Sequence, residues 1–390
     1  MQDRRDRIQS VLFGDDGALG VERGIAEFRS GRPVLMIDGN QAEVVLPAEG
    51  LDSSRLRAFQ EMCSPAMPEL AITASRARAL GLTTSEAVVI RTDTNASATA
   101  ISAMAGGATA AQIAVSRPAG NIVLSGIELA KLAHGLPSVL VAGVDATKMK
   151  PKLGSIVSVA AESVFDFHRH AARTLKISAE GTVPLHAQHA SRFVIFTNAV
   201  GDNSVAVIVG TPDVSKPVPV RLHSACLTGD VFGSRRCDCG DQLRLALTRL
   251  GTLGGGVILY LAQEGRGLGL ANKMRAYQLQ DAGLDTVDAN TTLGFDEDER
   301  SYGIAGRMLQ MLGCTRVALL TNNPAKVDAL RDAGIEISGR LPLITPINAD
   351  NRRYLTAKAM RAGHQLGHIE DFVASAETRD DIALKVKLAP

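Results

Sequence analysis

The sequence has no uninterrupted apolar run long enough to cross a membrane, so no spanning helix is expected. An excess of one charge sign is missing too: 42 Lys and Arg against 41 Asp and Glu leave a formal net charge of +1. That balance excludes a nucleic-acid binder working through bulk positive charge, and an anionic small molecule would have to be gripped by local basic clusters. Internal repeats and low-complexity tracts are absent, and the Walker A pattern does not occur. Cysteine is scarce and odd in number, five in 390 residues, which argues against a disulfide framework and for a reducing compartment. The first residues, Met1-Gln-Asp-Arg-Arg-Asp-Arg7, are charged with no apolar segment behind them. No signal peptide is expected, and the cytoplasm is the default location.

What is present reads as a soluble globular chain, 45% apolar and 21% charged. At roughly 150 residues per domain, its length accommodates two ordinary cores. Pro33–Asp38 and Ala42–Leu46 are β-rich runs divided by the turn Gly39-Asn40, and capping residues Asp52 and Thr73 each open a helix. The helix Glu128–Ala133 precedes a buried strand at Pro137–Ala142, and a helix around Glu162–Leu175 connects the halves. Beyond Ser191, three runs (Phe193–Phe196, Val205–Val209 and Val218–Leu222) read as a small antiparallel set. Alternating helices and strands follow, with Leu243, Ala246, Leu247 and Leu250 at core spacing and Pro324 opening the last helix.

Four constellations could carry chemistry. Cys226, Cys237 and Cys239 fall inside one short stretch, and three thiolates can hold a tetrahedral zinc with one position open. The alternative is a set of buried, reduced cysteines acting as small apolar residues. Arg221, His223, Arg235 and Arg236 surround the cluster, and guanidinium forks suit phosphate oxygens. The glycine-rich stretch Gln263–Lys273 joins a strand to a helix, where backbone N–H groups can approach an anion. Its glycines, Gly265, Gly267 and Gly269, do not follow the spacing of dinucleotide folds. Phe295–Tyr302 is acidic with one arginine inside, and Thr321–Lys326 follows a strand end. A solvated helix start and an ordinary turn would produce the same letters in those two places.

In collinear order from about residue 190 to 365, these segments resemble GTP cyclohydrolase II. The resemblance is carried by Arg221-Leu-His-Ser-Ala-Cys-Leu-Thr-Gly-Asp230, Arg236-Cys-Asp-Cys-Gly240, Gln263-Glu-Gly-Arg266, Lys273–Asp281, Asp298-Glu-Arg300 and Leu320–Lys326. It implies that Cys226, Cys237 and Cys239 ligate one zinc per subunit. Arg221, Gln242, Glu264, Gly265, Arg266, Thr286, Thr321 and Lys326 would contact GTP, whose triphosphate carries magnesium. Arg300 would attack the α-phosphate with Asp298 as proton acceptor, and Tyr277 would serve ring opening. The implied reaction opens the guanine imidazole ring, releases formate and pyrophosphate, and starts riboflavin synthesis; a homodimer is also implied. The family usually has Glu before the first ligand, where Ala225 stands here.

The N-terminal part resembles dihydroxybutanone phosphate synthase through Gly31–Asp38, Ala48-Glu49 and Leu129–Ala133. The acids expected after Asp38 are missing, Gly39-Asn-Gln-Ala-Glu-Val44 standing there instead, as is the His-Thr-Glu segment. A catalytically dead scaffold or dimerisation domain is the expectation. The fold class expected is therefore α+β: two mixed α/β domains, the C-terminal one of GTP cyclohydrolase II type with a small antiparallel β subdomain. The expected boundaries are an extension at 1–23 and domains at 24–175 and 176–390. Two other readings stay open: a paralogue acting on another nucleotide, and a non-catalytic regulatory protein that binds GTP.

Overall fold

A computed structural model describes residues 12, 14–93, 96–107, 113–144, 156–185, 190–198, 201–346 and 351. The resemblance beyond 351 lies outside the described residues, as do residues 1–11 and 13 of the expected extension. No helix among the described residues is long and apolar enough to cross a membrane. The chain forms two compact units that a single cut does not separate. The first comprises Met1–Ala171 with Gly265–Leu284 and Asp288–Glu299; the second comprises Ala172–Glu264, Asp285–Val287 and Arg300–Pro390.

The first unit is built on a seven-stranded sheet. Its strands are β1 (Val34–Asp38), β2 (Gln41–Pro47), β3 (Glu69–Ile72), β4 (Val88–Ile90), β5 (Val115–Pro118), β6 (Ser138–Gly143) and β7 (Val157–Ala160). They lie in the order β5-β4-β3-β6-β2-β1-β7. Only β7 is parallel to its neighbour β1; the remaining pairs are antiparallel. The β1–β2 hairpin turns at Gly39, whose φ of 56° costs a glycine little. Alternation along β2 sends Val44 and Leu46 to a core with Phe59, Leu70, Ile101 and Leu140. Val45 points the other way, onto Gly126 of the helix Asn121–Leu132. Helices therefore cover both faces. Asp52 and Thr73 cap the helices Ser53–Cys63 and Ala74–Ala79 as expected, accepting from the second or third N–H.

The segments 265–284 and 288–299 add a small apolar cluster to this unit, made by Leu136, Leu268, Ala276, Ala289, Leu293 and Phe295. Arg76 anchors one of them. It is 2% exposed and donates from Nε to the Met104 carbonyl, from Nη1 to that of Thr292 and from Nη2 to that of Ala103, each at 2.8 Å. A further bond reaches Gly107. Burial among carbonyls pulls its pKa down to about 10.

The second unit has its own seven-stranded sheet. Its strands are β8 (Lys176–Pro184), β9 (Ala190–Thr197), β10 (Asn203–Gly210), β11 (Val218–Ser224), β12 (Gly255–Leu261), β13 (Arg316–Leu320) and β14 (Glu336–Leu341), in the order β14-β13-β11-β12-β10-β9-β8. β8, β9, β10 and β12 are antiparallel, whereas β12, β11, β13 and β14 run parallel. The expected antiparallel set thus needs correcting at Val218–Leu222, which lies between β12 and β13 and parallel to both. Pro219 gives that run the look of an edge strand. The helix Cys239–Thr252, however, carries the chain back across the sheet between β11 and β12, and such a crossover returns a parallel strand. One face packs Val220, Leu222, Val257 and Leu259 on Met308, Leu309, Val327 and Leu330 of two helices. The other packs Val209, Ile258 and Leu320 on Ala246 and Leu250, the helical spacing read from the sequence.

Arg76→Met should orphan buried carbonyls and cost about 2–4 kcal/mol. Urea denaturation of the whole chain measures this, and an unchanged midpoint would show those carbonyls to be satisfied otherwise.

Candidate functional site

The site in the second unit forms at the carboxyl ends of β11, β12 and β13, the edge where parallel sheets open a crevice. β11 ends at Ser224, the Ala225 N–H donates to the Leu261 carbonyl of β12, and Cys226 opens the short helix Leu227–Asp230. Cys237 and Cys239 sit at the start of the helix Cys239–Thr252. The three sulfurs lie within 4.8 Å of one another, and Cys226 Sγ is 3.7 Å from Cys237 Sγ. Thiolates at about 2.3 Å around a tetrahedral ion sit about 3.8 Å apart, so the spacing fits one metal ion. Among the described residues this is the one group of its kind.

Gly229 makes the convergence feasible. A Cβ there would fall 2.8 Å from Cys237 Sγ, 3.1 Å from Cys226 Sγ and 3.0 Å from Cys239 Cβ. One at Gly240 would fall 2.3 Å from the Gly229 carbonyl oxygen. Only bare backbone fits between the thiols. The contact with Cys226, with burial adding and Cys239 opposing, pushes the Cys237 thiol up to about 11. The two remaining cysteines behave differently. Cys63 and Cys314 pack in separate apolar cores, and burial alone raises both.

Asp230 holds the cluster from behind. Its carboxylate accepts from the Cys226 N–H (3.0 Å), from the Tyr260 hydroxyl (3.0 Å) and faces His223 Nε2 (3.1 Å). The His223 ring stacks on Tyr260 with centroids 5.6 Å apart. Burial lowers the His223 pKa although Asp230 opposes it, and burial with Asp230 raises that of Tyr260. Sequence reading noted His223 but missed Asp230 and Tyr260. The available signal was an acid one helical turn beyond the first ligand.

Beside the thiols lies a concentration of positive charge. Arg221 is 6% exposed, donates to the Leu320 carbonyl (3.0 Å) and to Gln242 Oε1, and leaves Nε buried without a partner. Gln242 in turn donates to Asp238, which also accepts from Thr345 (3.2 Å). Lys326, equally buried, donates to the Leu222 carbonyl at 2.9 Å. Its Nζ stands 5.8 Å from the Tyr302 ring, and the Arg300 guanidinium stands 5.7 Å from the same ring. Burial lowers the Arg221 pKa, with Arg300 acting in the same direction. Such a cluster favours an anion carrying several charges. Thr321 accepts from the Asn323 N–H (3.0 Å), and Asn323 caps the helix Pro324–Asp332 that carries Lys326. Glu264 accepts from the Leu227 N–H at 2.7 Å, tying the end of β12 to the thiol loop. Thr286 opens the helix Thr286–Thr292.

Gly265, Arg266, Tyr277 and Asp298 belong to the first unit. Gly265 and Arg266 both have positive φ (61° and 62°), a conformation that strains Arg266. Their turn closes against the acidic stretch: Arg266 Nη1 donates to the Glu297 carbonyl at 3.3 Å, and the Glu299 N–H donates to the Arg266 carbonyl at 3.1 Å. Tyr277 lies on the helix Leu270–Asp281, with Lys273 Nζ 5.7 Å from its ring centroid. Lys273 was read as part of the glycine-rich stretch and not as a neighbour of the tyrosine.

A family model described as GTP cyclohydrolase II matches residues 176–342, a span containing the three thiols, Arg221, Gln242, Glu264, Tyr277, Arg300 and Lys326. The GTP cyclohydrolase-2 of Xylella fastidiosa (strain 9a5c) is 39% identical over 364 residues, 91% of this chain and 89% of that protein. The GTP cyclohydrolase-2 of Azospirillum brasilense is 39% identical over 375 residues, 91% of this chain and 96% of that protein. The riboflavin biosynthesis protein RibBA of Bacillus cytotoxicus is 45% identical over 214 residues, 54% of this chain and 53% of that protein. Matches of that length reach through both units, and the chain belongs to the GTP cyclohydrolase II family.

Proposed function

We propose that the protein hydrolyses GTP with a zinc ion held by Cys226, Cys237 and Cys239. The imidazole ring opens, formate and pyrophosphate leave, and the product is 2,5-diamino-6-(ribosylamino)pyrimidin-4-one 5'-phosphate, in the first step of riboflavin biosynthesis. The observation carrying this reading is the juxtaposition of a thiol cluster of metal-binding dimensions with buried Arg221 and Lys326 at one sheet edge. When bound, zinc supplies a Lewis acid that readies water as a nucleophile near neutral pH.

The chain's own residues do the rest. Arg221 and Lys326 neutralise the triphosphate, which arrives with magnesium on its hard oxygens. Gln242, Glu264, Gly265, Arg266, Thr286 and Thr321 bind and orient the nucleotide by the family resemblance, Glu264 offering an acceptor to the base edge. Arg300 attacks the α-phosphate and displaces pyrophosphate, with Asp298 accepting its proton; water then cleaves the P–N bond so formed, freeing the 5'-phosphate and returning the proton to Arg300. Tyr277 orients water or moves a proton during ring opening. A cytoplasmic homodimer is part of the same reading. Ala225 supports a second one: its methyl group offers no acceptor where the family has a carboxylate, which suits a paralogue with altered nucleotide preference.

The first unit fits a dihydroxybutanone phosphate synthase relic that has lost its chemistry. Glu43 on β2 is bound by Arg117 at 2.8 Å, and Arg117 also reaches Glu69 at 3.7 Å. Asp38 accepts from Asn121 at 3.3 Å. The carboxylates that remain there are thus engaged by protein groups, Glu43 and Glu69 by Arg117 and Asp38 by Asn121. Burial raises the Glu43 pKa against the opposing pull of Arg117.

With GTP and magnesium, the purified chain should release formate and pyrophosphate in equal amounts. Absence of both would sink the reading, and Arg300→Ala should keep its zinc while releasing no pyrophosphate. Cys237→Ser should lose zinc and ring opening together. Gly229→Ala should weaken zinc binding by about tenfold to a hundredfold in chelator competition while helical circular dichroism persists. Ribulose 5-phosphate with magnesium should yield no butanone phosphate; appearance of that product would restore activity to the first unit.

A further inference from the structure

Two segments inside the family match, Gly265–Leu284 and Asp288–Glu299, belong to the first compact unit. Their anchors come from the N-terminal part of that unit. Asn272 is fully buried and donates from Nδ2 to the His134 carbonyl at 3.0 Å. Arg275 donates from Nη2 to Glu49 Oε1 at 2.5 Å and from Nη1 to Asn272. The other Glu49 oxygen accepts the Leu136 N–H at 2.8 Å. One carboxylate therefore ties the turn after the helix Asn121–Leu132 to the helix Leu270–Asp281. Ala276 and Leu279 of that helix pack with Leu136, and Tyr277 rides on it.

The second segment is held in the same way. Thr73 Oγ1 donates to the Gly294 carbonyl at 2.6 Å, and Arg76 reaches the Thr292 carbonyl. Lys131, its side chain 15% exposed, pairs with Glu299 at 2.9 Å and Asp296 at 3.4 Å. Burial alone would lower the Lys131 pKa, but Glu299 and Glu128 outweigh it and the ammonium stays charged. Glu299 also accepts the Asp296 N–H at 2.8 Å, closing the loop that contains Asp298. Partly exposed ion pairs add little stability. Fixing two loops to a rigid sheet has a different use, since misplacing a reacting group by an ångström costs far more in rate than in folding.

We propose that the N-terminal part is a positioning frame for the cyclohydrolase reaction: Glu49 sets the helix that carries Tyr277, and Lys131 sets the loop that carries Asp298. The frame rests on the function proposed above, because those two residues take their roles from it. Glu49 and Lys131 are positioning residues and touch no substrate. The relic unit is retained for its surface turns and not for its former pocket.

The test uses the full chain with Glu49→Gln, Lys131→Met and Lys131→Arg. Glu49→Gln keeps an acceptor for the Leu136 N–H, so the fold survives. In both Glu49→Gln and Lys131→Met, kcat for formate release should fall by about tenfold or more. KM for GTP should stay within about threefold of the parent, and zinc should stay stoichiometric. Amide hydrogen exchange should quicken over 270–281 in the first variant and over 292–299 in the second. Lys131→Arg should recover most of kcat. Parental kcat in both variants, or a loss that follows zinc or occurs without faster exchange, overturns the frame while leaving the cyclohydrolase reading intact. A parent chain that turns over no GTP removes both.

Discussion

Three sulfurs drawn around one bare stretch of backbone set the terms for the second unit. Cys226 and the Cys237–Cys239 pair come from different elements, and they meet only because Gly229 and Gly240 leave no side chain between them. Asp230, one turn along the short helix, fastens the Cys226 N–H and is itself braced by Tyr260 and His223. The three sulfurs lie within 4.8 Å of one another, dimensions that suit a single metal ion.

The sheet explains why charge gathers beside the thiols. Parallel strands β11 and β13 are neighbours; β13 leads into Thr321, and β11 runs further before reaching Cys226 through Ala225. Arg221 and Lys326 are buried there and spend part of their hydrogen-bonding capacity on the carbonyls of Leu320 and Leu222. Those carbonyls aim the cations without neutralising them. Asp238 is the carboxylate that balances Arg221 through Gln242, which leaves an excess of positive charge for an anionic substrate.

The first unit combines an intact seven-stranded sheet with two segments drawn from later in the chain. Arg117 pairs with Glu43 and reaches Glu69 across that sheet. The short segments 265–284 and 288–299 take their anchorage from this unit. Glu49, Thr73, Arg76, Lys131 and the His134 carbonyl supply it.

Much of this was legible in the letters. Gly39-Asn40 announced its hairpin, Asp52 and Thr73 their helices, and Leu243, Ala246, Leu247 and Leu250 the buried side of a helix, because turns, caps and amphipathic spacing are local physics. The clustering of cysteines in one stretch was enough to suggest a shared ion. Tertiary structure alone decided the direction of β11, since strand pairing depends on the crossover helix and not on the strand's own residues. It also decided that Asp230 braces Cys226, that Arg117 pairs with Glu43, and that residues 265–299 fold largely with a distant part of the chain. Those outcomes join residues far apart in sequence, where no periodicity or spacing records which side chains will meet.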